Sequence, residues 1–121
     1  MTKQVRHKPY VKMAELTRSN TTATMLFTLP RTARILSVRV INAAAAAGAT
    51  ISLGTVSSSA YFVSAASVAT AGGTDVQTTA NCYTALTSPT DVYGLIAGGA
   101  IAGGPFLVCV EFVTLKDVGH I

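Results

Sequence analysis

A regular alternation of side chains near the end of the chain places the strongest constraint on its fold. In FLVCVEFVTL, residues 106–115, every second residue from Phe106 to Phe112 is bulky and apolar, and most residues between them are apolar as well. A period of two is that of a β-strand, and the run is rich in the β-branched and aromatic residues that strands favour. We therefore predict a strand with two apolar faces, either central in a sheet or in contact with a neighbouring subunit.

Three earlier segments alternate in the same way: TTATMLFTL at 21–29, RILSVRVIN at 34–42 and GATISLGT at 48–55. Shorter runs follow between them and residue 106, separated by Ser, Gly, Asn and Pro. About eight short strands with turn residues every 8 to 12 positions are typical of an all-β antiparallel sandwich or jelly roll, which we predict over residues 21–121. Met25 and Leu36 are among the side chains that the alternation directs inward. We expect one core that contains Phe27, Val38, Val40, Ile51, Val108, Val110 and Phe112.

Five consecutive alanines, residues 43–47, separate the second and third of these runs. Alanine is the strongest helix former, but five residues make little more than one turn, and isolated helices that short are marginal in water. We predict instead a connection between strands. Its small side chains either tolerate exposure or lie against another subunit.

The low charge of the chain predicts contacts with other protein. Charged residues make up 12% of the 121 residues, against about 25% in a typical soluble domain. A chain of this length can bury roughly 65% of its unfolded surface in one core, so neither a disulfide nor a metal is needed for folding. Mixed surface charge usually keeps a free monomer soluble. We therefore expect a homo-oligomer, and the alternative is a poorly soluble monomer.

The net charge of +4 is concentrated at the N-terminus, where five cations face Glu15 alone. We predict a basic arm over residues 1–20 in front of the sandwich, in which YVKMAELTR could form one or two helical turns. Coulomb attraction would dock such an arm on an acidic protein surface or, as a second choice, on nucleic acid; the alternative is a solvated terminus. The candidate partner-binding residues are Lys3, Arg6, Lys8, Tyr10, Lys12 and Arg18.

The chain carries few residues that could perform chemistry. Its two cysteines, Cys82 and Cys109, are predicted to be free thiols, because no continuous apolar segment of a secretory signal follows the basic N-terminus and synthesis in a reducing cytoplasm is the simpler expectation. Histidines, cysteines and carboxylates show no metal-ligand spacing and no catalytic pairing. Folding could still gather His120, Asp117 and Cys82. We predict no cofactor, no metal, no enzymatic activity and no sequence-specific binding of nucleic acid.

Residues 92–110 contain no charge and are nearly long enough to cross a bilayer. Paired glycines at 98–99 and 103–104, followed by Pro105, divide this segment into two short apolar runs. The flanks also lack the basic clusters and Trp belts of a membrane surface. A hairpin or a long loop is therefore predicted here, and a membrane span is the alternative.

From Leu29 onward, the order of features resembles that of small virion proteins of tailed bacteriophages. The matching segments are Leu29-Pro30, ILSVRV, ATISLGT, YFVSAASVATAGG and LVCVEFV. The chain departs from the pattern after its GT, where VSSSAYF replaces the usual acidic turn. For this reason the resemblance implies no ion site and no partner site at that turn.

The resemblance implies a capsid decoration or cement protein, a β-sandwich that forms small symmetric oligomers, commonly trimers, on the outside of the head. Such a protein bridges major capsid protein subunits. It would be made in the bacterial host cytoplasm and would end up on the capsid surface of the virion. Two other roles fit a small β-domain: a tail or head-fibre adhesion module and a membrane-associated protein.

Overall fold

The computed structural model describes residues 9–17, 20–98 and 103–114, and this part of the chain forms eight β-strands and one short 3-10 helix, Ala80–Tyr83. The all-β prediction is confirmed. The helical turns considered for YVKMAELTR are wrong, because most of that segment is a strand. The strands are β1 Tyr10–Leu16, β2 Thr24–Leu29, β3 Ala33–Asn42, β4 Thr50–Gly54, β5 Val63–Ser67, β6 Gly72–Val76, β7 Thr90–Ala97 and β8 Phe106–Thr114.

The strands form two four-stranded sheets, with the order β1-β8-β3-β6 in sheet A and β2-β7-β4-β5 in sheet B. All neighbouring strands are antiparallel. The chain passes from one sheet to the other at every connection except the one between β4 and β5. This winding is that of a jelly roll. β8 lies between β1 and β3, so the prediction of a central strand near the end of the chain is confirmed.

A single cluster of apolar side chains fills the space between the sheets, and all seven predicted core residues belong to it. The inward face of β8 is Phe106, Val108, Val110 and Phe112, each at most 3% exposed. Each of these side chains therefore contributes most of its transfer free energy, about 1.5 to 3 kcal/mol.

Two of the side chains predicted to face inward are on the outside. Leu36 is 51% exposed, whereas its neighbour Ile35 is buried. The cause is a β-bulge, because the pairing of β3 with β8 shifts by one residue between Ile35 and Ser37. A similar shift between Met25 and Phe27 exposes Met25. Simple alternation cannot predict an inserted residue that reverses the faces of a strand.

The register places the loops at two opposite ends of the sandwich. One end, called here the Asn42 end, carries the β1–β2, β3–β4, β5–β6 and β7–β8 connections. The other, called the β1 end, carries the start of β1, the end of β8 and the β2–β3, β4–β5 and β6–β7 connections. Each connection that crosses between the sheets therefore closes the sandwich at one of these ends.

The side chain of Asn42, at the end of β3, joins three loops at the Asn42 end. Its Nδ2 donates to the carbonyls of Val68 (2.9 Å) and Thr70 (3.4 Å). Its Oδ1 accepts from the backbone N–H groups of Ala44 and Gly104, both at 3.2 Å. Asn42 is the one buried polar residue of the described chain, 2% exposed. The amide nitrogen of Asn42 thus donates two hydrogen bonds and its oxygen accepts two, which satisfies both groups.

The alanine run connects β3 to β4 across the two sheets, as predicted for a connection between strands. Ala46 is fully buried, and its N–H donates to the carbonyl of Ala69 at 2.8 Å. A Cβ at Gly103, whose φ of +103° favours glycine, would overlap Ala46. Close approach of two loops explains the small side chain at this position, whereas Ala43, Ala44, Ala45 and Ala47 are exposed.

Residues 92–110 contain most of β7 and the first part of β8. Because these strands belong to different sheets, their connection is a crossover. Of the two forms predicted for this segment, a hairpin or a long loop, the hairpin is wrong; residues 99–102 of the connection lie outside the described residues. Within the part of the chain that the structure describes, no helix is long and apolar enough to cross a membrane.

Both cysteines are free, and they differ in environment. Cys82, in the 3-10 helix, is buried, and its Sγ donates to the carbonyl of Phe62 at 3.6 Å. Burial raises the pKa of the Cys82 thiol, although hydrogen bonds with Thr78 and Thr79 oppose the shift. Cys109 is only partly buried, on the outer face of β8.

The raised pKa of Cys82 predicts a loss of stability in alkali. An unfolded thiol ionises at about pH 8.5, whereas the folded thiol stays neutral to higher pH. The contribution of the neutral Cys82 thiol to the free energy of unfolding is therefore complete below the pKa of the unfolded thiol. It is lost as the pH rises through the pKa of the folded thiol. Urea unfolding from pH 7 to 10 under reducing conditions should show a weaker pH dependence for Cys82→Ala than for the unaltered protein. Cys109→Ala is the matched control, and equal pH dependence in both variants would contradict this assignment.

Candidate docking surface

The structure describes two of the six predicted partner-binding residues, Tyr10 and Lys12, and places both in β1. Lys3, Arg6, Lys8 and Arg18 lie outside the described residues. β1 pairs with β8 along its whole length, from Tyr10 opposite Phe112 to Leu16 opposite Phe106. Residues 10–16, which the sequence assigned to the arm, are thus part of sheet A. The described portion of the predicted arm is an edge strand of the sandwich.

Burial at one end of β1 explains why this segment forms a strand. Leu16 is fully buried, and its side chain lies against Gly94 of β7. If Gly94 carried a Cβ, that atom would lie 3.1 Å from Leu16 Cδ1. A side chain at Gly94 would also meet Leu26 and Leu53 at 2.9 Å, so glycine makes room for these leucines between the sheets. The opposite end of β1 emerges toward solvent, where Tyr10 is 44% exposed.

An apolar recess, called here the aromatic cleft, opens where the edge strands β1 and β2 face each other at the β1 end. The Tyr10 and Phe112 rings stack in it, with centroids 5.7 Å apart and planes at 29°. The cleft has a volume of about 440 Å³. Its lining residues are Tyr10, Lys12, Thr28, Pro30, Phe112 and Thr114.

One cation lines the aromatic cleft, and a second follows one of its lining residues in the sequence. Lys12 lines it, and Arg31 follows Pro30 in the exposed β2–β3 turn. Among the described residues, no carboxylate lies within ion-pair distance of either cation. Asp91, on the neighbouring strand, instead accepts a hydrogen bond from Thr28 Oγ1 at 2.6 Å. The cleft can therefore take an apolar side chain while its rim attracts a negatively charged partner.

The structure describes one of the three residues that the sequence considered for catalysis, Cys82. No group of three or more His, Cys, Asp or Glu side chains could hold a metal ion there. A polar groove of about 670 Å³ between the edges of β5 and β6 contains Asp75 as its one charged lining residue. Asp117 and His120 lie outside the described residues, and Cys82 is buried.

Loop tips at the β1 end carry exposed apolar groups that the sequence did not single out. Val56 is 81% exposed and Tyr83 is 68% exposed. Tyr61 is 37% exposed and packs edge-to-face on Phe62, with ring centroids 5.0 Å apart. The sequence feature that could have identified the two tyrosines is an aromatic residue that stands alone in a turn rich in Ser and Thr. Their exposure depends on the β4–β5 loop and the 3-10 helix meeting at one end.

The fold resembles chains in three solved phage capsids. A chain of the cyanophage Pam1 capsid asymmetric unit is 21% identical, with a TM-score of 0.66 over 94% of this chain and 90% of that one. A chain in the acidic stable capsid structure of Helicobacter pylori bacteriophage KHP30 is 18% identical, with a TM-score of 0.67 over 92% of each chain. A chain in the capsid of Ralstonia phage GP4 is 16% identical, with a TM-score of 0.60 over 88% of this chain and 84% of that one.

At these identities the likeness is one of fold. Comparison of the sequence with known protein families finds no match, and comparison with characterised proteins finds no relative. The shared feature is therefore the two-sheet arrangement across nearly the whole of each chain.

Proposed function

We propose that the protein is a structural component of a bacteriophage virion, a decoration or cement protein that binds the outer surface of the head and bridges major capsid protein subunits. The observation that carries this proposal is the match of its fold, over most of both chains, to chains in three phage capsid structures. The order of sequence features from Leu29 to Val113, which resembles small virion proteins, supports the same role.

The proposed activity is mechanical and non-enzymatic. A protein that binds the assembled head and not its separated subunits stabilises the assembled state by mass action, since each bound copy adds its binding free energy to the shell. Low charge and small side chains suit repeated contacts with protein. The proposal includes assembly of the protein into small symmetric oligomers, with trimers favoured.

Docking on the capsid is assigned to the aromatic cleft and to the basic residues that precede it in the sequence. Tyr10 and Lys12 lie at the cleft, and residues 1–8 carry Lys3, Arg6 and Lys8. The cleft supplies apolar burial, and the cations supply attraction that salt should weaken. An acidic patch with an apolar anchor on a capsid subunit is the partner that fits this surface.

Quantitative mass spectrometry of purified particles tests the virion role. The expected result is a fixed copy number of this chain relative to the major capsid protein, together with loss of head stability when the chain is absent. A chain that is missing from purified particles would contradict the proposal.

Variants of the aromatic cleft test the docking surface. We expect Tyr10→Ala to weaken binding to undecorated heads by about tenfold, because an aromatic anchor is removed. Lys12→Gln should weaken it by about fivefold, which corresponds to about 1 kcal/mol, and removal of residues 1–8 should reduce the salt dependence. Thr70→Glu, at the Asn42 end, changes the net charge by the same amount as Lys12→Gln and should leave binding unchanged. Unaltered affinity in all the cleft variants would exclude this surface.

Exposed aromatics at the loop tips favour one second candidate, a tail or head-fibre adhesion module. Tyr83 is well placed for stacking on a receptor or glycan because most of its side chain is exposed. Host-cell adsorption by particles that carry Tyr83→Ala separates the two roles. Reduced adsorption at an unchanged copy number would favour adhesion, and normal adsorption favours the cement role.

A further inference from the structure

The free edge of β6 carries backbone groups that bond to no neighbouring strand. In β3, Ala43 donates to the Pro105 carbonyl at 3.1 Å, on the β8 side. Successive residues of a strand bond to alternate neighbours, so the residue three positions earlier, which lies opposite Thr74, bonds to β6. Gly73 and Asp75 therefore direct their N–H and C=O groups away from β3. Among the described residues, no backbone hydrogen bond reaches those groups.

This edge also lacks the features that protect the other three sheet edges. The β1 edge carries Lys12 and Glu15. A β-bulge interrupts the pairing of β2 with β7, and another, which includes Ala65 with a φ of +44°, interrupts that of β5 with β4. Charges and bulges keep an edge from pairing with another chain. The pairing of β6 with β3 has no bulge, and β6 contains neither Lys nor Pro.

The surroundings of β6 leave room for a further strand. The polar groove of about 670 Å³ separates β6 from β5, so sheet B does not cover this edge. Most residues that line the groove are Ser, Ala or Thr. A Cβ at Gly72 would meet no atom within 4 Å. An extended backbone can therefore approach β6 to the spacing of neighbouring strands, about 4.8 Å.

We propose that β6 pairs with β6 of a second copy of this chain, antiparallel about a two-fold axis at Thr74. This register pairs all five residues of the strand and places Gly73 opposite Asp75 of the second copy. Each of the two symmetry-related pairs then exchanges two backbone hydrogen bonds, between the groups that point outward in the single chain. An axis at Asp75 would instead place two carboxylates opposite each other, which is unfavourable.

The charges near this edge favour the same register. Arg39 lies over Gly73, with its Nε and Nη2 each 2.9 Å from the position of a Cβ there. Asp75 of the second copy would point to that same outer face, directly opposite Gly73. Within one chain the Arg39–Asp75 pair, at 3.8 Å, is weak because both side chains are more than half exposed. In the paired state each Arg39 would lie between two carboxylates, so the contact is self-complementary in charge and in hydrogen bonds.

The contact is small and is expected to depend on protein concentration. Five residues of each strand span about 17 Å. A two-fold contact is separate from the three-fold contact of a trimer and would join a copy of one trimer to a copy of the next.

A cysteine at position 74 tests the register. Both copies of Thr74→Cys, in a Cys109→Ser background, would lie in a non-hydrogen-bonded pair with Cα atoms about 4.5 Å apart, within the range of a disulfide. We expect a covalent dimer on a non-reducing gel after mild oxidation with glutathione disulfide. Gln77→Cys in the same background is the matched control, because the two copies of residue 77 would lie about 20 Å apart. Cross-linking of Gln77→Cys as fast as that of Thr74→Cys would overturn the proposal.

Sedimentation of the full chain over a range of concentrations measures the contact without a cross-link. The expected result is a reversible doubling of mass, of the monomer or of a small oligomer. Asp75→Lys should weaken it about tenfold, because two attractive cross-strand contacts become repulsive. Adding Arg39→Glu to Asp75→Lys should restore it, and Asp91→Lys, the same change of charge on β7, should leave it unaltered.

Absence of any doubling, or association of Asp75→Lys as tight as that of the unaltered protein, would contradict the pairing of β6. Circular dichroism of each variant verifies the fold. Neither experiment contains capsid, so these outcomes are distinct from those that test the cement role.

Discussion

Asn42→Ala should lower the free energy of unfolding by about 3 kcal/mol. The substitution removes four hydrogen bonds that join the β3–β4, β5–β6 and β7–β8 connections. A typical hydrogen bond contributes about 1 kcal/mol, and a buried backbone group left without a partner costs about 1 to 3 kcal/mol. The four losses do not add fully, because they share one side chain. Urea denaturation monitored by circular dichroism measures the change.

Two further variants sharpen this test. Asn81→Ala is the matched control, because its amide is exposed and donates one hydrogen bond, to the Tyr61 carbonyl at 2.9 Å. It should cost less than about 1 kcal/mol. Asn42→Asp keeps the acceptor but faces the Val68 carbonyl with an oxygen in place of the donor, so it should also be destabilised at neutral pH. Equal stability of Asn42→Ala and Asn81→Ala would show that backbone bonds alone hold these loops.

Phe106→Ala should cost about 3 to 5 kcal/mol, since it removes a fully buried ring from the inward face of β8. Val110→Ala, on the same face of the same strand, should cost about 1 to 3 kcal/mol, because less volume is lost. Val56→Ala, at an exposed loop tip, should stay within about 0.5 kcal/mol. The same denaturation experiment ranks the three. Any order other than Phe106, Val110, Val56 would mean that β8 is not packed in the core as described.

Alternation predicted the strands wherever it was uninterrupted. In β8 and β4 every second side chain is buried, so the periodicity of the sequence and the burial of the strand agree. At Leu36 and Met25 an inserted residue reverses the faces, and the reason is the pairing with a strand far away in sequence. A bulge belongs to the pair of strands, so one segment read alone cannot reveal it.

β1 was missed for a different reason. Its inward-facing residues begin with Tyr10 and Lys12, which lie at the open end of the sandwich and need no full burial. Charges on both faces therefore masked the alternation. The aromatic cleft combines Tyr10 and Phe112, which pair within sheet A, with Pro30, which follows β2 of sheet B, and only the topology brings these residues to one place. The role of Asn42 likewise follows from three loops meeting at one side chain.

The position of β8 has a consequence for how the chain is made. Tyr10 pairs with Phe112, and β3 needs β8 as its neighbour, so sheet A cannot close until the ribosome has released nearly all of the described chain. Until then β1 and β3 carry unpaired apolar edges. Pairing of strands this distant is slow to form, and exposed edges invite aggregation during synthesis. The jelly roll is therefore expected to complete its folding only after β8 has left the ribosome, with β8 as the last strand to insert into the sheet between β1 and β3.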